Sequence, residues 1–228
     1  MAEQFIGGKV ILDAYDITPY LRDLKVTHTA DVKDATTLND TQKRYDITLR
    51  DSSVELSGFY YGAPNEIDDI YETVQDGSVL TIFKNNSNFA PASAFSIVKR
   101  SKTIETPADD FAAIKFEFQS DVGFQALIFA PYATRTAAGV SETYDLGSAL
   151  TATFYVFINV TDLVGSVTVN FQDSPDGTTF TTRLSQVFSA VGSAVLSGTR
   201  TWQRYVRVEW TFSGTSPSAT FVVSAQKI

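Results

Sequence analysis

The chain has 228 residues, 43% of them apolar and 19% charged, with a formal net charge of −8, one histidine and no cysteine. That length allows one or two domains, and the apolar share is ample for a core and excludes a disordered chain. The missing cysteines exclude disulfide staples, thiolate catalysis and cysteine-based metal sites, and the acidic balance argues against binding a phosphate backbone, where Lys and Arg must displace counterions.

In chain order, Lys9–Tyr15 (KVILDAY) predicts a strand, and Ile17–Leu21 a turn in which Pro19 pushes Thr18 towards extended geometry. Leu24, Val26 and His28 alternate, as do Tyr45, Ile47 and Leu49, and then Val54, Leu56, Gly58 and Tyr60. Apolar residues two apart predict strands with one buried face. Between these runs, residues 30–44 are polar, with no Gly or Pro and almost no large apolar side chain. Such a stretch cannot bury enough apolar surface to hold itself, and a structureless loop of roughly 14 residues is uncommon unless functional or disordered. Loop 30–44 is therefore expected to be an arm that orders against another molecule.

Pro64–Asp76 (PNEIDDIYETVQD) predicts a helix. Pro suits its first turn, Glu66, Asp68 and Asp69 oppose the positive end of its dipole, and Gly77 stops it. Ile67, Ile70, Tyr71 and Val74 make one apolar stripe, so the helix should cover one side of a sheet. Val79–Phe83, Ala94–Ser101, Ile104–Pro107 and Ala112–Gln119 predict further strands, the last with a wet face of Lys115, Glu117 and Gln119. Phe124–Phe129 is expected to close the first domain. Pro131–Ser141 is small, polar and aperiodic, so a linker is placed at 134–142.

The remaining strands are predicted at Leu150–Ile158, Ser166–Gln172, Thr179–Val187, Gly192–Leu196, Tyr205–Phe212 and Thr220–Ser224, separated by turn clusters at 174–177 and 213–217. Short strands at this spacing point to a β-sandwich. Charge shifts at the same place: residues 1–140 hold 13 Lys+Arg and 20 Asp+Glu, residues 141–228 hold 5 and 6. The expected fold is mainly β: a sandwich or barrel with one flanking helix over 1–133, the linker 134–142, and a second β-sandwich over 143–228.

The arm is also where a resemblance enters. Thr36, Thr37, Asp40, Thr41 and Arg44 form T-T-x-x-D-T-x-x-R, and Ser57, Gly58 and Phe59 lie in V-E-L-S-G-F-Y. With the upstream Asp16–Leu21 (DITPYL), this resembles the major tail, or tail tube, proteins of long non-contractile-tailed bacteriophages. Asn39 departs from the pattern, since many members have Gly near the loop end. The resemblance implies a tail-tube-type barrel in a virion protein that self-assembles into rings, commonly hexameric, stacked into a tube through which DNA passes unbound. It implies tape measure and tail terminator proteins as partners. The arm residues Asp31, Lys33, Asp34, Thr36, Thr37, Asp40, Thr41 and Arg44 would contact an adjacent ring or subunit. Glu55 and Glu117, predicted on wet strand faces, are candidate lumen acids. An inner-tube protein of a contractile system shares the implied fold.

No catalytic constellation is expected, and no cofactor or metal. His28 is a lone strand-face histidine without a nucleophile motif. Asp173 and Asp176 offer oxygen ligands of the kind calcium takes, but the stretch Asp173–Gly177 also reads as a β-turn without the rest of an EF-hand. Asp109, Asp110, Asp68 and Asp69 read as solvated acids or helix-terminal charges rather than a glycosidase pair. Trp202, just before a strand, is a candidate glycan contact, while Trp210 reads as core. The stretch Phe171–Phe180 (FQDSPDGTTF) and Arg204–Thr211 are similar to appendages of phage structural proteins and to some carbohydrate-binding modules. A carbohydrate-binding or adhesin protein touching host surface glycans is thus the alternative. No apolar run approaches the roughly 20 residues that cross a bilayer, and the N-terminus lacks the pattern of a signal peptide, so no membrane insertion and synthesis in the cytoplasm are expected.

Overall fold

In the sequence AIKFEFQ, Ile114, Phe116 and Phe118 lie on the buried side of a strand while Lys115, Glu117 and Gln119 keep contact with water. That period of two governs most of the chain. A computed structural model describes residues 8–37, 41–60, 67–106, 112–123 and 125–228. Its strands are β1 (Lys9–Leu12), β2 (Tyr15–Asp16), β3 (Leu21–Asp34), β4 (Tyr45–Phe59), β5 (Val79–Phe83), β6 (Pro91–Glu105), β7 (Ala113–Val122), β8 (Ala126–Arg135), β9 (Gly139–Val140), β10 (Tyr144–Asp145), β11 (Leu150–Ser174), β12 (Thr181–Phe188), β13 (Gly192–Trp202) and β14 (Tyr205–Lys227), with one helix, α1 (Ile67–Thr73). Every strand pairing is antiparallel, and all belong to one hydrogen-bonded sheet. The fold is mainly β, as the alternation predicts.

The first body runs β3-β4-β7-β6-β5-β1-β2. Strand β6 has three partners, pairing Pro91 and Ala92 with β8, Ala92–Ser96 with β5 and Ser96–Glu105 with β7, so the sheet curls around its core. Val54, Leu56, Leu80, Phe95, Ile97, Ile114, Phe116 and Phe118 fill that core. Helix α1 closes it with the expected stripe: Ile67, Ile70, Tyr71 and Val74 are buried, and Tyr71 stacks on Phe116 at 4.6 Å. Asp68 and Glu72 on its outer side hold Lys102 of β6, whose ammonium these partners raise above its ordinary pKa. Gly77 ends the segment with φ of 91°, a conformation that suits glycine.

The second body depends on two folded-over strands. β11 has 25 residues and β14 has 23. Straight, β11 would span about 80 Å at ~3.3 Å per residue, so it must bend to bury anything. It does so through register shifts at 160–162 and 164–166, opposite the 213–218 segment of β14. Gly165 sits at φ 80°, and a Cβ there would lie 2.5 Å from the Ser213 carbonyl oxygen. The halves of β11 and β14 thereby become two leaves. One contains β13, β8 and the residues 150–160 and 218–227; the other contains β12, β9, β10 and the residues 166–174 and 205–213. Phe129 and Phe154 of the first leaf meet Phe171 of the second at 5.4 Å each.

Three expected boundaries move. The paired short strands expected around 158–166, 101–104 and 212–220 are each one continuous strand, because a bulge or bend replaces a turn. The expected linker 134–142 is held in the sheet: Thr134 and Arg135 pair with Thr220 and Ala219, and Gly139 and Val140 pair with Trp210 and Glu209. And β8, expected to close the first domain, contributes Phe129 and Ala130 to the core of the second body. The bodies also share apolar contacts, with Ile11, Phe83, Ile128 and Val222 in one cluster and Val79, Ala94, Ala126 and Phe157 in another.

At that seam lies Asn159, fully buried. Its amide donates to the carbonyl oxygens of Asp13 (3.0 Å) and Val79 (2.9 Å), and its Oδ1 accepts from Thr81 Oγ1 at 2.7 Å. Ser193 adds a second link, donating to Asp13 Oδ1 at 2.5 Å and accepting from the Val79 amide at 2.9 Å. Asn159→Ala removes three hydrogen bonds from the seam and leaves the buried Thr81 hydroxyl without its acceptor, while the Val79 carbonyl keeps the Asp13 amide. It is expected to lower unfolding free energy by ~3 kcal/mol, read as a fall in the urea midpoint.

The 139–148 segment is clamped separately. Arg204 grips Asp145 with Nε–Oδ1 at 2.9 Å and Nη2–Oδ2 at 2.7 Å, and the Gly147 amide also donates to Asp145. These donors hold the Asp145 carboxyl down to about 2. Because the folded value is depressed, the clamp stabilises fully above the unfolded carboxylate value near 3.8 and is lost as pH falls towards 2. A carboxyl-carbon NMR titration should show a midpoint near 2, moving up towards the ordinary range in Arg204→Ala.

Candidate assembly surface

The first part of the stretch expected to be a loop, residues 30–34, belongs to a hairpin strand. β3 and β4 pair from Leu21↔Gly58 out to Asp34↔Tyr45. β4 pairs with β7 only over Ser53–Phe59. The eight residues from Tyr45 to Ser52 therefore pair with β3 alone among the described residues, a ribbon of about 27 Å. Residues 35–37 and 41–44 are outside the strands, and 38–40 lie outside the described residues. Residues 30–34 carry few large apolar side chains and still pair with β4, because the ladder is made by backbone hydrogen bonds, so the alternation that reveals other strands is missing from this part of β3.

Two turns of hydrogen bonding close the base of the tip. The Ala35 amide donates to the Arg44 carbonyl at 2.8 Å, and the Arg44 amide donates to Thr36 Oγ1 at 3.0 Å. Asp34 Oδ1 accepts from the Thr36 amide at 2.9 Å and from its hydroxyl, which lowers the Asp34 pKa. Of the expected arm residues, Asp34, Thr36 and Arg44 are thus brought together. Lys33, Thr37 and Thr41 are exposed along the hairpin end, and Asp31 pairs its backbone with Leu49. Asp40 lies outside the described residues, as do Glu66, Asp109 and Asp110. The outer edge of the 14-residue β3 has no strand partner among the described residues.

Glu55 and Glu117, expected as lumen acids, sit directly opposite each other on the wet face of β4 and β7. Neither stands alone. Lys25 and Lys115 each approach Glu55 at 3.1 Å, and Lys115 approaches Glu117 at 3.5 Å. Lys25 first and Lys115 second lower the Glu55 pKa, and the same contacts raise that of Lys115. Two acids and two lysines make this patch charge-balanced rather than acidic.

Trp202 is corrected. It has no exposed surface, its Nε1 donates to the Ala152 carbonyl at 3.1 Å, and Phe154 and Phe171 pack on it at 4.8 and 5.5 Å. An indole at the meeting of two leaves fills core volume and offers no face to a sugar. Trp210 is the partly exposed tryptophan. Arg135 covers its ring at 4.7 Å while donating to the carbonyls of Ala133, Pro131 and Phe221, and burial pulls the Arg135 pKa down to about 10.

The two carboxylates of Asp173–Gly177 are also used by the protein. Buried Asp173 accepts from Arg183 Nε at 2.7 Å and from the Gln203 amide at 3.0 Å. Asp176 accepts from the amides of Thr178 and Thr179, both at 2.9 Å, which drives its pKa far below the usual carboxylate range. This is turn chemistry. Among the described residues no group of three or more His, Asp or Glu side chains is placed to hold a metal ion, and no helix is long and apolar enough to cross a membrane. His28 is a strand residue, with Nδ1 2.9 Å from Ser52 Oγ.

One feature had no sequence signal. A crevice of 640 Å³ opens between the bodies, lined by Phe83, Leu127, Phe129, Tyr144, Leu146 and Phe154, with Lys84 and Lys227 at its rim. Its walls come from seven separate stretches of chain, so no local pattern marks it.

The exposed tip makes a proteolysis prediction. Trypsin is expected to cut first after Lys43 or Arg44, and Arg135, held in β8, is expected to resist. Mass spectrometry of the first fragments checks this.

No family model matches the chain, and no curated protein matches it. The chain is similar to several solved structures, among them the following three. Chains in the virion of a native gene transfer agent particle share 14% identity at TM-score 0.44, covering 54% of this chain and 97% of theirs. Those in the tail of an empty gene transfer agent particle, of C6 symmetry, share 14% at TM-score 0.43 with the same coverage. The SPP1 Dit protein, described as a paradigm of the hub adsorption apparatus in phages infecting Gram-positive bacteria, shares 13% at TM-score 0.39, over 97% of this chain and 99% of that one.

Proposed function

We propose that this chain is a structural subunit of a phage-type tail, located in the virion, that assembles with copies of itself into rings stacked as a tube. The observation that carries the reading is the unpaired edge of β3 continued into a ribbon that extends beyond its own sheet. A long free edge is a template for pairing with another chain. A two-stranded ribbon is marginally stable in water on its own, so a partner strand along it supplies what two strands alone lack. Head-to-tail pairing of one copy's edge with the next closes a ring if the rotation permits, and contacts along the axis then stack rings into a filament. A hexamer is the ring size the resemblance favours.

In this reading the wet face of β4 and β7 lines the channel. Its Lys25, Glu55, Lys115 and Glu117 patch holds phosphate neither by attraction nor by strong repulsion, and the chain's overall charge of −8 keeps DNA from adhering elsewhere. The second body faces outward, and tape measure and terminator proteins meet the tube's interior and end.

The test shortens the ribbon by deleting residues 31–49 and joining Ala30 to Arg50, which face each other in the hairpin, through Asn-Gly, a favoured two-residue hairpin turn. The shortened protein should keep the wild-type circular dichroism spectrum. In negative-stain electron microscopy at high concentration the wild type should form rings or tubes, and the shortened protein none. Normal tubes from the shortened protein, or uniform small particles from the wild type, overturn the reading.

A further inference from the structure

The outer face of the second body carries polar side chains that hold one another in place. Val167, Val169 and Phe171 of β11, with Val206 and Val208 of β14, turn into the sandwich core. The alternate residues Asn170, Gln172, Arg207 and Glu209 therefore stand on the opposite face, where Asn170 lies across from Glu209 and Gln172 across from Arg207. Gln172 is the hub, and only 5% of it is exposed. Its Oε1 accepts from Arg207 Nε at 2.9 Å, and its Nε2 donates to Glu209 Oε2 at 2.9 Å and to Thr182 Oγ1 at 3.2 Å. Asn170 Nδ2 donates to the same Glu209 oxygen at 3.0 Å. The Arg207 guanidinium lies over the Phe180 ring at 3.8 Å, which stiffens it further.

This network leaves particular groups unspent. Among the described residues, neither Nη group of Arg207 donates to a partner, and Glu209 Oε1 accepts from none. The two residues are alternate positions of one strand, about 7 Å apart along it, and Gln172 bonds to each of them. Val140 of β9, 48% exposed, lies directly across from Glu209 and adds apolar surface beside the acid. A fixed donor fork next to a fixed acceptor suits a ligand that presents hydroxyls, since every hydroxyl both donates and accepts. The pair has no net charge. An anion would meet Glu209 and a cation would meet Arg207, whereas a neutral polyol uses both.

We propose that this face binds a neutral oligosaccharide, with neighbouring hydroxyls of one sugar accepting from Arg207 and donating to Glu209 Oε1, and with the apolar side of a ring against Val140. The protein groups are held before contact, so little side-chain entropy is lost on binding. The site belongs to the single subunit and is independent of how subunits assemble.

The test applies the full chain to an array of neutral and anionic oligosaccharides, then titrates the neutral glycan it retains into isotope-labelled protein. The wild type should retain neutral glycans, and the side-chain amide signals of Asn170 and Gln172 and the Nε–H signal of Arg207 should shift. Glu209→Gln keeps an oxygen for Asn170 and Gln172 but turns the free acceptor into a donor. It should keep the wild-type circular dichroism spectrum and bind about tenfold more weakly. Arg207→Lys, which keeps the charge and loses the fork, should weaken binding by a similar factor. Retention of anionic glycans alone, retention of none, shifts confined to other residues, or unchanged affinity in these variants each overturns the proposal.

Discussion

The arrangement of the two bodies depends on one buried amide. Asn159 lies in the middle of β11, on the face turned away from the sandwich core, and its side chain reaches Asp13, Val79 and Thr81. Around it the seam is apolar, with Phe157, Val222, Ile128 and Ala94 closing out water. In such surroundings an amide is costly unless its valences are met, and here three are met in one geometry. Apolar contacts alone allow sliding. The amide permits one docking angle, and Ser193, reaching both Asp13 and Val79, repeats the constraint from β13.

The bends in β11 and β14 follow from the same economy of surfaces. The first half of β11 packs Phe154, Val156 and Ile158 into the sandwich and turns Phe157 and Asn159 towards the first body. Beyond Gly165 the strand returns over its own start, and the face of the first half that met the core now has a second leaf to meet. A strand buried on both faces reads as a continuous apolar run, which is what FYVFINV presents at 154–160.

The ribbon at the other end obeys the opposite logic. Outward of Ser53, β4 pairs with β3 alone among the described residues, so β7 does not help to fix the register there. Thr36, Asp34 and Arg44 take over that task by pinning the ends of the tip to one another. On the broader wet face, alternating charges do similar work: Lys25, Glu55, Lys115 and Glu117 match across three strands. Residues that look in the sequence like a source of negative potential are satisfied by their neighbours in the sheet.

The sequence by itself determined the β class, the stripe of α1 and its stop at Gly77, the wet and dry faces of β7, and the turn at Asp176, because each is a local matter of period, dipole or turn geometry. It also marked 30–44 as unusual, though it read residues 30–34 of β3 as loop, since that polar stretch lacks the apolar alternation that marks other strands. Only the tertiary structure decided the rest. The linker at 134–142 became part of the sheet because β14 supplied partners from 70 residues or more away in the chain, as at Trp210 and Ala219. Trp202 became core, and not a sugar platform, because two leaves close over it. Asn159 became the joint between bodies because Asp13, Val79 and Thr81 converge on it from the far end of the chain. These are contacts between segments distant in sequence, and a linear reading holds no information about which distant surfaces will meet.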